Sequence, residues 1–145
     1  TREGEIELAK RIERGQKSVR KALSRSALII REVLGLREEI ERGQTSIRDV
    51  LLAADLMIAD EALAQQQTEF LTAIEELEKD YRKAQQSRQK LQVISRQMKP
   101  KQHRSLRFGL ARGLVRISRS IREIQFSGLL LRRLAACLRR AVDEF

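Results

Sequence analysis

The sequence predicts an all-α fold, an antiparallel bundle of helical hairpins containing one long helix. Three observations predict it. The 145 residues are rich in Ala, Leu, Glu, Lys, Arg and Gln, with one Pro and no Trp, a composition that favours helix over strand. Apolar residues recur three and four positions apart along most of the chain. Gly, Pro and Ser stand where those patterns stop. One Tyr and four Phe leave the core to be built from aliphatic side chains. No run of 18 apolar residues occurs, so no segment reads as a membrane span.

The first helix is expected from about Glu3 to Arg14, with Ile6, Ala9 and Ile12, joined by Leu8, as its apolar face. Glu3, Glu5 and Glu7 crowd its first turn and Lys10, Arg11 and Arg14 its last, which suits the helix dipole. Gly15 is expected to stop it. A helix this short does not persist alone and must pack on something. The first residue is Thr rather than Met, and a piece of a longer protein is expected.

Val19, Ala22 and Leu23 form a second short face, and Ser24-Arg25-Ser26 offers a break before the next helix. That helix presents Leu28, Ile29, Ile30, Val33, Leu34, Leu36 and Ile40 and ends at Gly43. Gly35 lies within it, either weakening it by about 1 kcal/mol against Ala or marking close helix packing. Ser46 followed by Asp49 resembles a capping box for the next turn.

From Asp55–Asp60 to Met98 the chain reads as one long helix. Phe70, Leu77, Ala84, Leu91 and Met98 recur every seven residues, with Ile74, Tyr81, Arg88 and Ser95 between them. The seam begins apolar and turns polar, which suits a hairpin with a neighbouring helix better than an intermolecular coiled coil. Lys99-Pro100 ends it. The next helix, about Lys101–Glu123, has Leu106, Leu110, Leu114, Ile117, Ile121 and Ile124 on one face. Ser127 caps the last helix, with Leu130, Leu131, Leu134, Leu138, Ala141 and Val142 inward.

Charge is divided along the chain. Residues 1–80 hold 13 Lys/Arg and 17 Asp/Glu, whereas residues 81–145 hold 17 and 3, and no acid lies between Arg82 and Arg122. Such a division concerns partners rather than fold. Candidate contacts for a negative partner are Arg104, Arg107, Arg112, Arg116, Arg119 and Arg122. The spacing of Arg112, Arg116, Arg119 and Arg122 places them on one helix face, either solvated or touching phosphates or an acidic protein surface. No aromatic residue lies among them, so stacking of single-stranded bases is not indicated.

The sequence carries no catalytic motif. There is no phosphate-binding glycine loop, no dinucleotide fingerprint and no Cys/His metal spacing. The single His103 reads as a loop or helix-start residue, and the single Cys137 as a buried inert thiol. Glu75, Glu76 and Glu78 with Lys79 read as a solvated helix face. No enzyme, cofactor or small-molecule substrate is expected.

The opening run of Thr1, Arg2, Glu3, Gly4, Glu5 and Ile6, then Ala9, Lys10, Arg11, Ile12 and Glu13, then Gly15, resembles the end of conserved region 1.2 in primary (housekeeping) sigma factors of bacterial RNA polymerase. The likeness covers about a tenth of the chain. Residues 16–145 resemble the family's non-conserved region, a helical insertion of sigma domain 2. GQTSIRDVLL is similar to the segment that resumes after the first insertion helices, and IREIQFSGLLLRRLAACLRRAVDEF to later helices in some lineages.

The resemblance implies two parts, 1–15 from region 1.2 and 16–145 from the insertion. It implies promoter-specific transcription initiation in a bacterial cytoplasm, with core polymerase (its largest subunit) and promoter DNA as partners of the intact protein. It implies that Glu3, Ile6, Ala9 and Ile12 act as scaffold against the insertion. The family's promoter-reading motifs have no counterpart among these residues, so no DNA-reading residue is carried over. An alternative from the basic half alone is a helical nucleic-acid-binding or nucleoid-associated module. A peripheral membrane helix at 101–123 is disfavoured, because its apolar face is needed inside the bundle and no Trp is present.

Overall fold

The computed structural model describes residues 1–52 and 59–144. Among them the chain forms six helices: α1 (Arg2–Arg25), α2 (Ala27–Glu41), α3 (Ile47–Val50), α4 (Asp60–Val93), α5 (Pro100–Glu123) and α6 (Gly128–Asp143). The fold is all-α, as the composition and periodicity imply. The most extensive pairing is between α4 and α5, which run antiparallel as a hairpin. Helix α2 packs on α4 and α6, α1 on α5 and α2, and α3 on α4 and α6.

Helix α1 begins where expected. Thr1 Oγ1 accepts from the Gly4 N–H at 3.1 Å. It does not stop at Gly15 but runs ten residues further. A glycine ends a helix by turning to positive φ, and among the described residues only Gly43 does so. Good helix formers follow Gly15, so its penalty of about 1 kcal/mol is absorbed, and a Lys17–Glu13 ion pair at 3.8 Å spans it. The division at residue 15 therefore falls inside one continuous helix.

The packing expected of the first face is also absent. Only Leu23 and Ser24 of α1 are buried. Ile6, Leu8, Ile12 and Val19 are each about half exposed, and Glu3 and Ala9 are exposed. The first part of α1 thus extends from the bundle with its apolar stripe uncovered.

The break before α2 falls at Ser26, which is extended. Ile29, Ile30, Val33, Leu36 and Ile40 are buried. At the far end the Gly43 N–H donates to Ile40 O at 3.1 Å and the Gln44 N–H to Glu39 O at 2.9 Å, the paired bonds of a Schellman stop with Gly43 at φ 73°. Gly35 has no neighbouring atom within 4 Å of where a Cβ would stand, so it does not mark close packing. Ser46 Oγ accepts from the Arg48 N–H at 3.3 Å, an N-cap bond to the second helical residue rather than to Asp49 as the expected capping box requires.

Helix α4 buries Phe70, Ile74, Leu77 and Ala84. It starts at Asp60, the later end of the expected Asp55–Asp60, whose earlier residues 55–58 lie outside the described residues, and it ends at Val93, five residues before the expected Met98. Val93 and Met98 are fully exposed, at 85% and 84%. Past Leu91 the seam has no core to bury against, and β-branched Val93 and Ile94 make poor helix extenders without one. Pro100 occupies the first turn of α5, where its missing N–H is not needed.

Ile117 and Ile121 anchor α5, and Leu130 and Leu134 anchor α6. Val142, expected inward, is 70% exposed because the last turn of α6 outruns the core. Ser127 Oγ caps α6 by accepting from the Leu130 N–H at 3.2 Å. It also donates to Asp49 O. Leu51 and Phe126 form an isolated antiparallel bridge, closed by Ser127 N–H to Val50 O at 2.8 Å and Leu52 N–H to Gln125 O at 3.0 Å. This knot joins the end of α3 to the loop between α5 and α6.

Candidate anion-binding surface

The acid-free stretch 82–122 folds as about the last third of α4, the turn after it, and nearly all of α5. Folding back on itself brings its 13 Lys/Arg onto one projecting hairpin. The last buried residue of α4 is Ala84 and the first of α5 is Ile117. The tip beyond them lies outside the core, and all of its cations are exposed.

The hairpin carries an open cleft of about 330 Å³ between α4 and α5. Lys83 and Lys90 line it from α4, and Arg112 and Arg116 from α5. Its floor is small: Ala84, Gly109 and Gly113, with no atom within 4 Å of a Cβ built on Gly113. The one acid in it, Asp80, sits 3.7 Å from Arg116. Four cations against one carboxylate leave the cleft positive. It can hold a chain of phosphates or an acidic helix by charge, without selecting a base.

The six candidate arginines do not act as one face. Arg112, Arg116 and Arg119 line one adjoining surface of α5. Arg104 and Arg107 stand nearer the tip, with the Arg107 guanidinium 5.7 Å from the Phe108 ring centre. Arg122 turns the other way. Its Nε–H donates to Ser118 O at 3.4 Å, and it shares a second recess with Arg25 and Arg88. Lys83 and Lys90 were missed by the arginine spacing, although they lie seven apart in the same acid-free stretch. Nothing in the sequence signals Arg25, which is brought in by the packing of α1.

The acidic half is partly consumed inside the fold. Glu75 and Glu78 are not merely solvated: Arg37 of α2 reaches them at 3.0 and 3.5 Å. Arg133 of α6 reaches Glu32 at 2.9 Å and Glu39 at 2.7 Å on α2. The hydrogen bond from Arg133 holds the Glu39 carboxyl below the usual glutamate range, against partial burial, and raises the Arg133 guanidinium in turn.

His103 is half-buried in the first turn of α5, and Cys137 is half-buried at the edge of the α6 face rather than enclosed. Among the described residues no group of His, Cys, Asp or Glu could hold a metal ion, and no helix is long and apolar enough to cross a membrane. No family model, curated protein or solved structure matches the chain.

Proposed function

We propose that this chain is part of a bacterial sigma factor, the end of region 1.2 followed by the helical non-conserved insertion. In this reading the α4–α5 hairpin contacts a negatively charged surface of the initiation complex, either core polymerase or the promoter backbone. The residues Thr1–Gly15 support the family. The acid-free hairpin with its cleft of Lys83, Lys90, Arg112 and Arg116 carries the contact. The part is a binding element rather than a catalyst, acting in the bacterial cytoplasm.

Contact through exposed Lys and Arg is sequence-independent and weakens as salt rises. The test is affinity for core polymerase and for a promoter duplex, each at two salt concentrations. Arg112→Ser/Arg116→Ser/Arg119→Ser is expected to weaken one of them at least about tenfold and, for DNA, to flatten the log–log salt slope by about 2 to 3. Unchanged affinity and slope would remove the reading. The cleft also suits a free-standing nucleic-acid-binding module. Duplex binding without any affinity for polymerase would favour that alternative.

A further inference from the structure

A second recess, of about 370 Å³, lies where α1, α2, α4 and α5 meet. Arg25 enters it from the last turn of α1, Arg88 from α4 and Arg122 from α5. No carboxylate lines it. Elsewhere this chain pairs the arginines it places between helices: Arg133 has Glu32 and Glu39, Arg37 has Glu75 and Glu78, and Arg116 has Asp80. Among the described residues Arg25, Arg88 and Arg122 have no such partner. Three guanidiniums lining one recess repel one another, and an anion from outside relieves that repulsion.

The rest of the lining says what kind of anion. Ile30, Leu114 and Val115 give the recess an apolar side. The hydroxyls of Ser24 and Ser118 are already committed. Ser24 Oγ donates to Lys21 O at 2.8 Å, so the 2.7 Å contact between the two hydroxyls uses the Ser118 proton. Donors for a ligand therefore come from guanidinium, whose planar fork fits phosphate oxygens in pairs. We infer that this recess binds an organic phosphate, with its phosphate oxygens on Arg25, Arg88 and Arg122 and its apolar part against Ile30, Leu114 and Val115. The ligand is held, not converted. The inference stands apart from the polymerase reading, since Arg25 and Arg88 lie outside the α4–α5 cleft.

Such a phosphate comes either from a free nucleotide or from a nucleic-acid strand. Titration calorimetry of the full chain with ADP, and separately with a short single-stranded oligonucleotide, distinguishes the sources. Saturable binding of either is expected to fall at least about tenfold in Arg25→Ser/Arg88→Ser. Binding of ADP identifies a free nucleotide, and binding of the oligonucleotide alone identifies a strand. Arg139→Ser/Arg140→Ser removes the same charge on α6, outside both the recess and the α4–α5 hairpin, and is expected to leave the affinity nearly unchanged. All four arginines are exposed, so both variants are expected to keep wild-type circular dichroism. Equal losses in the two variants, or no saturable binding of either probe, would overturn the inference.

Discussion

Ser118 on α5 and Ser24 on α1, ninety-four residues apart, meet hydroxyl to hydroxyl at 2.7 Å in a buried contact. The bond pins the last turn of α1 to the bundle while the rest of that helix stays outside. Ser118→Ala is expected to lower stability by about 1 kcal/mol, because Ser24 keeps its bond to Lys21 O. The double variant Ser24→Ala/Ser118→Ala is expected to cost less than the two single changes added together, since no unmatched hydroxyl remains. Urea unfolding of the four proteins measures the coupling, and strict additivity would show that the two hydroxyls do not act as a pair.

Glu39 gives the chain a pH response below neutrality. Its carboxyl is held low in the folded protein by Arg133, so the pair contributes fully above the ordinary glutamate value of about 4.3. That contribution fades as pH falls through the lower folded value. Arg133 stays charged throughout and adds no step of its own. Glu39→Gln is expected to destabilise by roughly 1–2 kcal/mol at pH 7, a figure reduced for the exposure of Arg133. The gap from wild type should narrow as pH falls below the ordinary glutamate range. A gap that stays constant however far the pH is lowered before the fold is lost would contradict the ion pair.

Ser127 serves two segments with one hydroxyl, accepting from Leu130 N–H and donating to Asp49 O. Ser127→Ala removes both a helix cap and the tie to the end of α3. The expected loss is about 2–3 kcal/mol, more than the roughly 1 kcal/mol of a cap alone. Thermal unfolding compared with Ser46→Ala, which removes the cap of four-residue α3, separates the two contributions.

Gly15 sits inside α1 with open space where a side chain would stand and without positive φ. Gly15→Ala is expected to stabilise that helix by about 1 kcal/mol. Because residues 1–19 are exposed along their length, the gain is local. Ellipticity at 222 nm should rise while the global unfolding midpoint stays within a degree or so. A large rise in the midpoint would show that the helix is packed rather than projecting.

The helix ends that could be read from sequence are those decided by local chemistry. Pro100 opens α5, Gly43 closes α2 and Ser127 caps α6 in each case through atoms a few residues away. Gly15 and Met98 misled because the signal at each depends on what lies alongside. No tertiary contact turns the chain at Gly15, and the core is gone before Met98 is reached. The charge division was equally plain, because it needs only a count. The sorting of the arginines was not. Arg112 and Arg116 join Lys83 and Lys90 only because α4 and α5 fold antiparallel, and Arg122 parts from them because α1 supplies Arg25 on the other side. The bond from Arg133 to Glu32 spans 101 residues, a pairing no periodicity reports.

The folding back of α4 and α5 sets a linear charge density. At 1.5 Å of rise per residue the 23 residues of α5 from 100 to 122 span about 35 Å. The 13 positive charges of the acid-free stretch thus occupy roughly one per 3 Å of hairpin, the same order as the one per ~1.7 Å of duplex DNA. A rod charged that closely gathers its own cloud of small anions. Docking against a polyanion would then free ions from both sides at once, so the entropy of that release, rather than any single contact, would set how tightly the hairpin holds.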